Sequence, residues 1–463
     1  MFQKEIYKNR RASLMREVGG GIIVLPANRE LPFNYISNTL PFRQDSTFLY
    51  YVGIDMPGLV AVLDCDSGQE YLYGEQLTMD DIIWTGELPS VSDLAAMSGI
   101  GNACLMGNMG EYFDNLGHRE LHYLKPYQSD VAVFLSDLLG ISLDSVLSGQ
   151  SDRLARAVIG MRRTKQDIEI AEIEKAVDAT RMMHNAAMAK VAGGDFLGER
   201  DVYAAISEVA MSKGYYHSFP PIVTVHGEVF HNHGYRDTLK HGQLLLVDAG
   251  AESLEHYAGD MTRTFPVGGK FSTRQKDIYD IVQKANECVA LSARPGISWS
   301  DMHDRAAGVI ASGLKDLGLM RGDTDDIVAS GAYALFFPHG LGHLMGLDVH
   351  DMENIGEDLV GYSDKQKRST LFGKNCLRYG LPLERNMVIT DEPGIYFIPQ
   401  LIDKWRADGL FANFIDYQRV EKYKNFGGIR IEDDLLITEN GCRILGTVPL
   451  PKKSDEVECF FCN

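Results

Sequence analysis

Two aspartates, three histidines and two glutamates stand at the ends of short apolar runs in this 463-residue chain, and they are its chemistry-bearing residues. The run Leu244-Leu245-Leu246-Val247 ends on Asp248, followed by Ala249-Gly250. A second run, around Tyr257 to Phe265, carries Asp260. The short link predicts a hairpin of two antiparallel strands with both carboxylates on one face. Two bare carboxylates so placed repel and raise one pKa; a divalent cation between them removes the conflict. Taken singly, an aspartate at such a point more often caps a turn.

His339, His343 and His350 lie in one stretch broken by Gly340, Gly342 and Gly346. The glycines argue against a regular helix, so the HxxxH spacing is not that of a helical zinc protease. They are also one residue off the dinucleotide GxGxxG pattern. Glycine at these positions lets backbone and imidazoles crowd a small site. Further on, Met387-Val388-Ile389-Thr390 reads as a strand leading into Asp391-Glu392-Pro393-Gly394. Gly428-Ile429-Arg430-Ile431-Glu432 alternates, so Arg430 and Glu432 share a face.

Asp248, Asp260, Glu392, Glu432 and one histidine together offer four carboxylates and an imidazole, a set whose charge balances two divalent cations. Oxygen-rich ligation suits Mn²⁺ better than a structural zinc, with Co²⁺ or Zn²⁺ as alternative occupants. Two ions roughly 3.5–4 Å apart can activate a water and stabilise a tetrahedral intermediate, the chemistry of amide hydrolysis.

The elements that position these groups read as an α/β (α+β) chain of two domains, 1–155 and 156–463. In the first, Gly21 to Pro26, Phe48 to Val52 and Leu59 to Leu63 are expected strands. The triple glycine 19–21 lacks the Lys-Ser/Thr of a phosphate loop. After a polar stretch at 147–151, a long helical pattern runs from about Asp152 through Ala192. Helices then alternate with strands, and many of the His, Asp and Glu residues fall at strand ends.

Composition bounds the rest. Hydrophobic residues at 45% and charged residues at 24% are ordinary for a globular chain. A net charge of −19 argues against nucleic acid or an anionic membrane as partner. No run approaches the ~20 apolar residues of a membrane helix. Seven scattered cysteines fit a reducing compartment, so a cytoplasmic location is expected. Cys459 and Cys462 form a lone CxxC without a second pair, read as part of a docked tail.

In their order, Val247-Asp248-Ala249-Gly250, Gly259-Asp260-Met261-Thr262-Arg263, His339 to Asp351, Glu392-Pro393-Gly394-Ile395-Tyr396 and Arg430-Ile431-Glu432 resemble the pita-bread metallopeptidases. The resemblance is to the branch of aminopeptidase P and prolidase and covers nearly the whole chain. Phe42-Arg43-Gln44-Asp45-Ser46 through Gly53 is similar to that branch's creatinase-like N-terminal domain. It implies a two-metal Xaa-Pro peptidase with Asp248, Asp260, His343, Glu392 and Glu432 as ligands, Asp260 and Glu432 bridging. Glu392 would also relay a proton from the attacking water. His350 would bond the scissile carbonyl or its oxyanion. His231, preferred over its neighbour His233, would contact the proline side of a proline-containing peptide. His339 would line the pocket, and Arg430 would orient Glu432.

Within the branch, Leu377-Arg378 resembles the Leu-Arg at which prolidases hold a free carboxylate, and the insertion Pro399 to Phe426 is prolidase-like. Asn354 to Lys374 departs in length from the family pattern. The reading leans to an Xaa-Pro dipeptidase; the alternative is an aminopeptidase P acting on longer peptides. A different class, an inactive pita-bread binding module, would lack ligands that are all present here. Metal-free creatinase-like hydrolysis meets the same objection. The resemblance further implies a homodimer in which one subunit's N-terminal domain closes the other's site.

Overall fold

The computed structural model describes residues 1–194 and 198–462. The chain divides into two compact units, Met1–Arg162 with Asn354–Gly356, and Arg163–Glu353 with Glu357–Asn463. Position 155 lies inside a helix, Asp152–Arg163, and the units part at its end.

The first unit is built on a five-stranded mixed sheet. Its order is Asn102–Leu105, Glu70–Gly74, Val60–Asp64, Ile22–Pro26, Leu121–His122. Ile22–Pro26 runs antiparallel to Val60–Asp64 and parallel to Leu121–His122. Ile22, Val24, Val60, Val62 and Leu135 are buried together in its core. The apolar run at 48–52, expected as a strand, is instead the helix Ser46–Val52. Every residue of it is buried, so no periodicity separates the two readings. What decides is the ends. Asp45 Oδ1 accepts from Phe48 N at 2.8 Å as an N-cap, and Gly53 closes the helix in the left-handed region.

The helical pattern from 152 to 192 is two helices, Asp152–Arg163 and Asp167–Ala192. The break falls where Lys165 N donates to Asn386 O at 2.8 Å, a partner no helix could offer it. Glu169 Oε2 then accepts from Gln166 N at 3.0 Å, which caps the start of the second helix.

The second unit carries two antiparallel sheets. One is Ile222–Thr224, Leu244–Ala249 and Met261–Pro266; the other is Val388–Asp391, Asp433–Ile437 and Cys442–Ile444. A two-stranded pair, Gly394–Tyr396 with Gly428–Arg430, continues from the second sheet. An isolated bridge between Thr262 and Glu432 links the two sheets. The long helix Asp167–Ala192 buries Ile173, Val177, Met183, His184 and Met188. His184 Nε2 lies 3.0 Å from Met261 O and 3.4 Å from Ala249 O, which ties the helix to both central strands.

Candidate metal centre

The two aspartates are set by strand register. Leu244–Ala249 and Met261–Pro266 pair so that Asp248 faces Thr262. Asp260 lies just before the second strand and two residues before Thr262, hence on the same face. Gly250 makes the approach possible, since a Cβ there would meet Gly259 O at 1.9 Å. Asp260 N is held by Asp434 Oδ2 at 3.0 Å.

The two glutamates come from matching breaks. Glu392 separates Val388–Asp391 from Gly394–Tyr396, and Glu432 separates Gly428–Arg430 from Asp433–Ile437. In both cases the chain leaves one pairing and enters the next, which turns a carboxylate toward the junction of the sheets.

His343 rides on an extended segment beside the strand of Glu392. Its N donates to Thr390 Oγ1 at 3.1 Å, and Thr390 N donates to His343 O at 3.0 Å. Gly342 is essential to that contact, because a Cβ there would lie 1.9 Å from Thr390 O. The expectation that these glycines exclude a helix and permit crowding is met. Asp351 closes the segment, pairing with the buried Lys165 Nζ at 2.8 Å.

All the residues singled out in the sequence line one cavity of about 500 Å³: Asp248, Asp260, His343, Glu392, Glu432, His231, His339, His350, Arg378 and Arg430. Asp260, His343 and Glu432 each place a ligand atom within 4.8 Å of the others. His343 Nε2 is 3.4 Å from Asp260 Oδ2 and 3.9 Å from Glu392 Oε1. Asp248 Oδ1 and Asp260 Oδ1 are buried with no hydrogen-bond partner among the described residues. Burial, then the charge of Asp248, pushes Asp260 well above the usual carboxylate range. Burial, then Asp260, does the same to Glu432. Glu392 is raised by burial, with His343 and Arg430 opposing. Orphaned oxygens and mutually repelling buried carboxylates are the marks of a site built to hold cations.

Arg430, expected to orient Glu432, bonds Asp248, Tyr396 and Thr262. It pairs directly with Asp248 Oδ2, and its Nη1 donates to Tyr396 OH at 3.1 Å. Its hydrogen-bonded path to Glu432 runs through Thr262, whose Oγ1 accepts from Arg430 Nε at 3.1 Å and donates to Glu432 Oε2 at 2.7 Å. Thr262 and Tyr396, present in the motifs but given no role by the sequence, are thus part of the hydrogen-bond network around the carboxylates. The signal for Thr262 was its place two residues after Asp260 on a strand.

The remaining histidines are distinct. His339 Nε2 lies 2.8 Å from Tyr396 OH and Nδ1 2.7 Å from Gly340 O; burial, then Arg430, pushes its pKa down to about 3. His350 is lowered to about 4 by burial, with the neighbouring His343 adding to the effect. His233 Nδ1 is engaged 3.2 Å from Pro221 O, whereas His231 has no hydrogen bond among the described residues.

Comparison with known proteins agrees with this geometry. Residues 171–439 match metallopeptidase family M24, and residues 7–123 match the aminopeptidase P N-terminal domain. A probable Xaa-Pro aminopeptidase of Fusarium vanettenii is 31% identical over 100% of this chain and 97% of its own. The Homo sapiens Xaa-Pro dipeptidase is 28% identical over 95% of this chain and 88% of its own. A substrate-bound variant of Escherichia coli aminopeptidase P superposes with a TM-score of 0.82 at 28% identity, covering 100% of this chain and 99% of that one. The expected creatinase-like N-terminal domain and pita-bread catalytic domain are both found, and with the carboxylates and His343 converging as they do, the chain belongs to metallopeptidase family M24.

Proposed function

We propose that this protein hydrolyses the bond between an N-terminal residue and proline, with two divalent ions, Mn²⁺ in the first instance, held by Asp248, Asp260, His343, Glu392 and Glu432. The observation that carries the reading is the meeting of five such side chains in one cavity, with buried carboxylate oxygens left without partners. Bound there, the ions would supply Lewis acidity that activates water and polarises the scissile carbonyl. Glu392, on the cavity wall, would take the proton of the attacking water and return it to the proline nitrogen. The oxygen that gains charge would draw His350 into its imidazolium form, so that the ring donates to it while Nδ1 stays on Glu353 Oε2, and His231 would meet the proline side. His339, fixed by Tyr396 and Gly340, would shape the pocket. Arg430 would hold Asp248 directly and Glu432 by way of Thr262.

For the product side, the favoured reading is a dipeptidase in which Arg378 receives the free carboxylate. Of its three guanidinium nitrogens only Nη1 is hydrogen-bonded among the described residues. The likeness to aminopeptidase P favours a second reading, cleavage of longer peptides. We place the enzyme in the cytoplasm, where its seven free thiols would stay reduced. We also propose that it works as a homodimer, a state that sedimentation equilibrium reads directly. The first experiment compares Ala-Pro with Ala-Pro-Ala for the Mn²⁺-loaded enzyme, the chelated enzyme and Asp260→Ala. Cleavage before proline that disappears with metal or with Asp260 is expected; full turnover by the metal-stripped variant would refute the mechanism.

A further inference from the structure

The stretch that departs in length from the family pattern begins beside Glu353, and Glu353 touches two groups of the reaction just described. Glu353 Oε2 lies 3.2 Å from His350 Nδ1 and 2.6 Å from Arg378 Nη1. Its other oxygen, Oε1, is buried with no hydrogen-bond partner among the described residues. A single carboxylate oxygen therefore bridges an imidazole and a guanidinium. Glu357 Oε1 adds a longer contact, 3.5 Å, to the same Nη1.

The bridge lies behind the cavity. His350 and Arg378 line the large cavity, and Glu353 and Glu357 do not. The two glutamates line a separate small recess together with Arg378 and His343. Holding Arg378 by Nη1 leaves Nε and Nη2, the edge of the guanidinium that presents two parallel N–H groups. That edge matches the two oxygens of a carboxylate. A lysine in place of Arg378 could not be held at one point and still offer such a fork.

The substrate supplies the reason for joining these two groups. In an Xaa-Pro dipeptide only the proline nitrogen and Cα lie between the scissile carbonyl and the free carboxylate. The donor to the developing oxyanion and the receptor for the carboxylate must therefore keep a fixed, short separation. A misplacement of about 1 Å at a reacting group costs roughly 10²-fold in rate. His350 and Arg378 belong to segments with no strand or helix in common, so backbone alone does not set their spacing. A shared anion does.

We propose that Glu353 is a positioning residue that couples His350 to Arg378 and thereby sets the preference for a free carboxylate directly after proline. This rests on the dipeptidase reading of Arg378. The test measures kcat/KM for Ala-Pro and for its neutral amide, Ala-Pro-NH₂, in the Mn²⁺-loaded parent, Glu353→Gln and Glu353→Asp. Gln keeps the size but removes the charge; Asp keeps the charge but draws it back by one methylene. Metal content is measured for each protein.

The parent should prefer Ala-Pro. Both variants should bind the parent's complement of metal, lose about 10-fold or more on Ala-Pro, and lose at least 5-fold in the ratio of Ala-Pro to amide. A merely structural role would lower both substrates together and leave the ratio within 2-fold, as would failure of either variant through misfolding alone; that result, or a rise in the ratio, overturns the coupling while leaving the dipeptidase reading in place. A parent that does not prefer Ala-Pro overturns the dipeptidase reading, and the role of Glu353 falls with it.

Discussion

Replacing Thr262 by Val should weaken metal binding without disturbing the fold. Thr262 is fully buried, and Val has nearly its shape. The exchange removes the 2.7 Å hydrogen bond to Glu432 Oε2 and the acceptor 3.1 Å from Arg430 Nε. A hydrogen bond to a charged group contributes roughly 1.5–3 kcal/mol. At about 1.4 kcal/mol per tenfold, that is about 10- to 100-fold in a dissociation constant. The same range is typical when a group that orients a metal ligand is removed. The assay is calorimetric titration of chelator-stripped protein with Mn²⁺, beside activity as a function of free metal. Thr262→Ser, which keeps the hydroxyl, should restore most of the affinity. If Thr262→Val folds normally and binds metal within twofold of the parent, the path from Arg430 through Thr262 to Glu432 does not orient the ligand.

Two further outcomes can be read from stability and turnover. His184 and His303 are pushed down to about 4 and about 3 by burial, from an ordinary 6.5. Both stay neutral in the folded chain, whereas the unfolded chain protonates them near 6.5, so the unfolded state binds more protons below that pH. Their contribution is therefore complete above about 6.5 and is lost as pH falls toward 4 and then 3, by on the order of 3 to 5 kcal/mol each at 1.36 kcal/mol per unit. Urea midpoints across pH 7 to 4 should fall, and His303→Phe, at a ring already stacked on Phe337, should flatten the slope; an unchanged slope counts against burial as the cause. Gly342→Ala places a Cβ 1.9 Å from Thr390 O and must displace the segment of His343, so turnover should drop by roughly 10²-fold with loss of bound metal; near-parental activity would show that the segment yields without cost.

Much of the site was legible because its parts are local. Asp248 ends an apolar run, Arg430 and Glu432 alternate on one strand, and glycines around His343 announce close packing. Each of these follows from backbone geometry over a few residues, and each residue so found lines the cavity. The run at 48–52 was not legible as a helix, since a fully buried apolar segment has no polar face to reveal its period. The break at 164–166 was hidden for a related reason, because its cause is a hydrogen bond to Asn386 far along the chain.

The amino-acid sequence by itself determined the inventory: which carboxylates and imidazoles exist, which strand ends carry them, and which glycines permit their approach. Only the tertiary structure decided the pairings. That Arg430 holds Asp248, that Thr262 relays to Glu432, and that Glu353, three residues on from His350, reaches Arg378 are contacts between segments with no common element. Local periodicity carries the direction of a side chain, but not which distant charge the packing of two sheets will set in front of it.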